Sequence, residues 1–425
     1  MSLSFITELQ AAIPENYTGA EQCEIIDRWL TDHPDKEAEC RSTLKNWLLK
    51  TRELKASDID FGAPGCAKQI WMRVFGVKKP VESLGTYSHI ETAAMVLSWL
   101  SPSQKKLLFR IKSVDFSLAF ALEHETTASS ADNITQTEKQ QIRVPEEVEA
   151  RFRGSTYFDR GYLGTNFRRI NDKLYTMDGL GVPAPVAQRM NLKYEKTGLV
   201  LITGITGSGK STTLDAIIDM NNRENSGHIV IIGHPIEYVH HSKTCLVRHR
   251  EVGVDVQSFE AGAIEALRQD PDIIVVGEMR DPQTIATVLE ITDSGHKAFT
   301  TLHTSSAIDS IHRIIAEFPP EEQERIRNRL ADVLSISMSQ KLVPTIDGRL
   351  VMAKEILSAD PSVQAAIRNK NIGEIYQMMV EGKKYGMCTL EQDLRELHKR
   401  GLITQQTALN YANNKKRMMQ LFTLN

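Results

Sequence analysis

The sequence predicts an α/β fold built on a parallel sheet, and three observations carry that expectation. Four short apolar runs, Leu199–Ile202, His228–Ile232, Ile273–Val276 and Ala298–Leu302, alternate with segments of helical periodicity. Strands separated in this way pair in parallel and are covered by helices on both faces. The first run leads into Gly204-Ile205-Thr206-Gly207-Ser208-Gly209-Lys210-Ser211, which fits the G-x-x-x-x-G-K-[ST] loop without a mismatch. The third ends in Gly277-Glu278, placing a carboxylate at the edge where open α/β sheets bind their ligands.

The loop defines a nucleoside triphosphate site. Its glycines allow the backbone to approach phosphate oxygens, and successive N–H groups with the following helix N-terminus face the anion. The expected nucleotide-binding set is Gly204, Thr206, Gly207, Ser208, Gly209, Lys210, Ser211 and Thr212. Within it Lys210 reaches the β- and γ-phosphates and the Ser211 hydroxyl holds Mg²⁺. Phosphoryl hydrolysis also needs a carboxylate at the metal or its water, and Glu278 supplies one. His303 ends the run parallel to the Glu278 strand and is placed to sense the γ-phosphate or the water. A lone histidine after a strand is more often structural. His240, His241 and His249 have no metal-site spacing and read as surface residues.

Bulk properties bound the rest. The chain has 425 residues, enough for two or three domains. Lys plus Arg (51) against Asp plus Glu (54) leaves a net charge of −3, so composition gives no case for a nucleic-acid partner. Five scattered cysteines form no C-x-x-C pair and read as reduced thiols. No apolar run reaches the length of a membrane span, and the N-terminus lacks a signal-peptide pattern.

Four segments follow along the chain. Residues 1–50 read as an amphipathic helical extension, with Ile25, Ile26, Trp29 and Leu30 on one side and a break at Asp32–Asp35. Residues 51–177 mix helix with short strands, including Ile70–Phe75 and Phe116–Leu122, and contain a polar stretch near 123–141. Arg153, Arg160 and Arg168 recur on paired strands there; composition alone reads them as a solvated sheet face. The Gly- and Pro-containing stretch Met177–Pro185 marks a boundary. Residues 178–344 hold the parallel sheet, and 345–425 read as a helical C-terminal segment.

Together these elements resemble the secretion ATPases of type IV pilus and type II secretion systems, and within them the PilT-like pilus-retraction branch. The resemblance runs from about residue 55 to 425. Gly204–Thr213 matches the Walker A loop, Pro235-Ile236-Glu237-Tyr238-Val239 the Asp box, and Glu265–Asp272 with Gly277–Asp281 the Walker B region. Thr301-Leu302-His303-Thr304 with His312-Arg313 matches the His box. Ala56–Asp60 is similar to the opening of the family's N-terminal domain, and Ala365–Asn369, Gly386-Met387 and Arg400–Thr404 to its C-terminal segment.

The resemblance implies a RecA-like P-loop ATPase domain, a PAS-like α+β N-terminal domain, and helical N- and C-terminal segments. It implies a homo-hexamer binding ATP and Mg²⁺ between subunits, cytoplasmic and held at the inner membrane by a pilus platform protein, with a paralogous retraction ATPase as a further partner. Residue by residue it assigns Ser211 and Glu278 to Mg²⁺, Glu237 to the attacking water and His303 to coupling. Arg153 and Arg168 fall where the family's arginines face nucleotide; Arg160 is offset by one position. One departure stands out: Gly233-His234 replaces the usual Glu-Asp of the Asp box. It leaves open an accessory or regulatory paralogue with weak hydrolysis. A pilus-assembly or secretion motor is disfavoured because the tetracysteine zinc element typical of those members is missing.

Overall fold

The computed structural model describes residues 3–74, 77–122, 149–170 and 174–423. The chain divides into two compact units, Met1–Asp172 and Lys173–Asn425. The polar stretch 123–141 and Phe75 lie outside the described residues.

The first unit is an antiparallel sheet with helices on one face. Its strands are β1 (Ala56–Gly62), β2 (Trp71–Val74), β3 (Val77–Pro80), β4 (Ser113–Ala121), β5 (Glu149–Asp159) and β6 (Tyr162–Arg169), in the order β3-β2-β1-β6-β5-β4. Period-two alternation decides which face is covered. Phe116, Phe152 and Phe167 turn into the core, while Arg153 and Arg168 turn to the other face. The predicted break at Asp32–Asp35 separates the helices Gly19–Asp32 and Pro34–Glu53, whose second member starts with proline in its first turn. These helices share one core with the sheet: Ile26, Leu44 and Trp47 are buried in the same cluster as Ile59 and Phe61. The helix His89–Leu97 ends just before Ser101-Pro102, and that pair opens the next helix. Ser101 caps Pro102–Ile111 with a reciprocal Ser101–Gln104 capping box.

The second unit contains β7 (Gly198–Thr203), β8 (His228–Gly233), β9 (Leu246–Glu251), β10 (Ile273–Val276), β11 (Lys297–Leu302), β12 (Leu334–Pro344) and β13 (Leu350–Ser358). Their order is β13-β12-β7-β11-β10-β8-β9. All neighbours are parallel except the β12–β13 pair. Both faces are buried, as the unbroken apolar runs require. Leu201, Ile232, Val276 and Leu302 join one core, and Val200, Ile231, Val275 and Phe299 the other. Met177 and Val182 are buried in the second of these cores, so the Gly- and Pro-containing stretch packs as part of this unit. Lys297 is fully buried at the start of β11, where its ammonium donates to the carbonyls of Arg189 (2.7 Å) and Glu195 (2.8 Å) and fastens the approach to β7.

Three strands were not legible as such. β9 is an edge strand carrying Arg248, His249 and Arg250, and β12 interleaves serines with apolar residues. β13 lies in the segment expected to be helical; Lys354 and Glu355 interrupt its apolar run. The Lys354 ammonium is paired with Asp393 at 3.1 Å. Among the described residues no helix is long and apolar enough to cross a membrane.

Candidate active site

The parallel sheet brings the predicted residues to one edge. β7, β11, β10 and β8 are consecutive neighbours, and each ends in a segment singled out by sequence: Gly204, His303, Gly277-Glu278 and Gly233-His234.

The loop after β7 folds as the glycine pattern requires. Gly204, Gly207 and Gly209 have φ of 147°, 78° and 89°, conformations that side chains with a Cβ rarely adopt. At Gly204 space is as decisive as angle. A Cβ there would stand 2.4 Å from Ser208 Oγ and 2.5 Å from the backbone oxygen of Gln340. The helix Lys210–Glu224 starts at the end of the loop, with Gly209 as its N-cap and Ser211 exposed in its first turn. The Lys210 ammonium donates to the carbonyls of Gly204 (2.9 Å) and Ile205 (3.2 Å). Burial lowers its pKa, and the charges of Glu278 and Glu237 pull it back up. Three residues from separate loops therefore share one electrostatic neighbourhood.

Glu278 stands two residues beyond β10. The strand end is locked by Gly277 N donating to Ile232 O (2.8 Å), by Thr301 Oγ1 donating to Gly277 O (2.7 Å), and by Met279 N donating to Thr301 O (3.2 Å). Glu278 Oε1 lies 3.0 Å from His303 Nε2 and 2.6 Å from Arg280 Nε. Both nitrogens sit against this buried oxygen as polar neighbours without the alignment of a full hydrogen bond. His303 has a lowered pKa, first through burial and then through the Lys210 charge; Glu278 opposes both. Arg280 is the residue that sequence reading missed. It sits in the acidic motif two places past Glu278, where spacing alone gave no reason to single it out.

The Asp-box segment after β8 is anchored at both ends. The ring of His234 is hydrogen-bonded through Nδ1 to Val252 O at 3.1 Å. His240, expected at the surface, is buried and contacts Asp215 Oδ1 on the phosphate-loop helix at 3.1 Å. Glu237 lies between these anchors. The segment after His303 is tied to the turn Tyr411–Asn414. Lys341 Nζ donates to Tyr411 O (2.9 Å) and Asn413 Oδ1 (2.7 Å), and Asn413 Nδ2 donates to Ser305 O (3.2 Å), two residues past His303.

Arg153 and Arg168 belong to the first unit. They are direct cross-strand partners on β5 and β6. Like charges placed opposite each other repel, and carboxylates offset this: Arg168 Nε lies 2.9 Å from Asp58 Oδ1, and Arg153 lies 3.7 Å from Asp115. Arg160 stands apart from that face. With Gly161 it forms a two-residue hairpin turn in which both residues have positive φ. Among the described residues no cluster of three or more His, Cys, Asp or Glu is placed to hold a metal.

Comparison with known proteins assigns the family. A family model described as type II/IV secretion system protein matches residues 133–422. The twitching motility protein of Neisseria gonorrhoeae is 35% identical over 372 residues, covering 87% of this chain and 91% of that protein. The type IV pilus retraction ATPase PilT of Pseudomonas aeruginosa is 42% identical over 259 residues, covering 61% of this chain and 74% of the relative. The type IV pilus ATPase PilU of the same organism is 37% identical over 265 residues, covering 62% and 69%. A crystal structure of the pilus retraction motor PilT with bound ADP superposes with a TM-score of 0.73 at 34% identity, covering 87% of this chain and 97% of that one. The chain belongs to the type II/IV secretion system protein family, whose α/β fold and phosphate loop it carries. Within that family it is a PilT-like secretion ATPase, as the resemblance read from its motifs implied.

Proposed function

We propose that this chain is a motor ATPase that couples ATP hydrolysis to type IV pilus retraction, the withdrawal of pilin subunits that powers twitching motility. The observation that carries the reading is the convergence of Lys210, Glu237, Glu278 and His303 on one sheet edge beside a complete phosphate loop, in a chain this similar to a PilT.

In this reading the loop backbone from Gly204 to Thr212 and the Lys210 ammonium hold the phosphates. The exposed Ser211 hydroxyl and the Glu278 carboxylate are hard oxygen donors, the kind Mg²⁺ takes; the ion would neutralise charge on the phosphate oxygens. Glu237 orients the attacking water. His303, beside Glu278 and within the field of Lys210, registers the phosphate that leaves. Arg153 and Arg168 are the pair a neighbouring subunit contributes in a homo-hexamer, where each would stabilise negative charge on the nucleotide. The ring works at the cytoplasmic side of the inner membrane on a pilus platform protein, with no nucleic-acid partner.

One feature favours a second reading. Gly233-His234 removes two carboxylates from the Asp box, and His234 is instead committed to Val252 O. A subunit that binds nucleotide, hydrolyses it slowly and works beside a paralogous retraction ATPase would have this character. Mg²⁺-dependent ATPase activity of the purified chain beside Glu278→Ala separates the two. The motor reading expects the variant to lose about a hundredfold or more in turnover while still binding ADP. A parent chain no faster than the variant would overturn it in favour of the regulatory subunit. Gene deletion then tests direction: excess surface pili support retraction, and bald cells support assembly.

A further inference from the structure

A phosphate loop works only if its N–H groups point outward at the anion, and the peptide bond makes that a question about carbonyls. In a planar trans peptide the C=O of one residue and the N–H of the next point in opposite directions. An N–H is aimed outward when the preceding carbonyl is held inward, and an inward carbonyl needs a donor. Lys210 supplies the donor for Gly204 and Ile205. For Ser208 the donor comes from another strand. Gln340 on β12 is 1% exposed, and its Nε2 donates to the Ser208 carbonyl at 2.8 Å.

β12 is the parallel neighbour of β7, with Ser339 opposite Thr203, so Gln340 arrives level with the first loop residue. Its backbone oxygen stands 2.5 Å from where a Cβ of Gly204 would be, and its Nε2 stands 3.2 Å from the equivalent point at Gly209. Gln340 therefore touches the first, fifth and sixth residues of the loop. The Ser208–Gly209 bond is trans, since the only cis bond among the described residues is His234–Pro235. We infer that Gln340 is a positioning residue for the phosphate loop: by holding the Ser208 carbonyl inward it aims the Gly209 N–H at the phosphate of a bound nucleotide. It acts through the loop backbone and touches no substrate.

The inference rests on the nucleotide reading above, and its test separates the two. Affinities for ADP and for adenosine are measured on the parent chain and on Gln340→Met, which keeps the length and loses the donor. Gln340→Asn serves as the second variant; it keeps the amide but is one methylene too short to reach. Both are expected to bind ADP about tenfold more weakly and adenosine, which has no phosphate, as well as the parent does. A folded variant that binds ADP within about twofold of the parent overturns the inference, as does an equal loss for both ligands. A parent that binds no ADP overturns the nucleotide reading itself. Hydrogen exchange on the unmodified chain needs no variant. On adding ADP the Gly209 amide is expected to gain protection together with Lys210 and Ser211, and an unchanged Gly209 overturns the proposal.

Discussion

At Glu278 one carboxylate oxygen faces both an imidazole and a guanidinium, and the imidazole is the group whose charge can change near neutral pH. Burial and the Lys210 ammonium both push the His303 pKa below its ordinary value, so the neutral ring is the form present at pH 7. If hydrolysis depends on that form, turnover stays level as pH falls through about 6.5 and drops only at more acidic values, where the ring gains its proton. His303→Gln, which cannot be protonated, should lack that acidic limb; a pH profile of kcat for parent and variant checks this. His303, Glu278 and Lys210 were legible in sequence because each directly follows an apolar run, and chain order alone puts them at strand ends. Gln340 was not. Its role depends on β12 lying beside β7, a long-range pairing that no local pattern around Ser339-Gln340-Lys341 discloses.

At the scale of elements, the β12–β13 hairpin extends the sheet and carries a buried carboxylate. Glu355 on β13 is 4% exposed, and its Oε1 accepts from Ala307 N, at the start of the helix Ala307–Ala316 that follows the His303 loop. Burial pushes its pKa up to about 7, the Glu391 and Asp309 charges push the same way, and the backbone donors at Ala307 and Leu390 oppose. The folded chain therefore holds this proton more tightly than the unfolded one. The stability so gained is present at pH below about 4.5 and is lost as pH rises through about 7, a change on the order of 3 kcal/mol. Glu355→Gln should remove that slope, so the gap between the urea midpoints of parent and variant should change most between about pH 4.5 and 7 and hold steady above that. A parallel pair of curves would show that the carboxyl titrates normally. The four central strands were readable because burial on both faces leaves an unbroken apolar run. β9, β12 and β13 lie toward the sheet margins, where charged residues and serines are tolerated and the run dissolves.

At the scale of the whole molecule, the arginine pair and the carboxylate site fall in different compact units of one chain. Sequence placed Arg153 and Arg168 on paired strands, and the register makes them direct neighbours. What sequence could not give was the company of Asp58 and Asp115, which depends on strand order. If the proposed ring closes each site with a neighbour's Arg153 and Arg168, a chain carrying Arg153→Ala and a chain carrying Glu278→Ala should each be nearly inactive alone. Mixed, they should recover part of the ATPase rate, because some sites then combine an intact carboxylate with an intact arginine pair. Recovery absent across all mixing ratios would place both residues in the service of one subunit's own site.

The turn Tyr411–Asn414 bears on how fragments of this protein are to be cut. It lies about a hundred residues beyond His303 in sequence, past every motif that names the family, yet it is tied to the strand residue beside Gln340 and to the carbonyl of Ser305. A truncation chosen from the motifs, or from the last strand at Ser358, would retain all the nucleotide-binding residues and discard the tether on the loop after His303. Cut at Ser358, the fragment would also lose Val363, Ile367, Ile375 and Met387 from the core on the sheet, so its catalytic rate would be no standard for the whole chain.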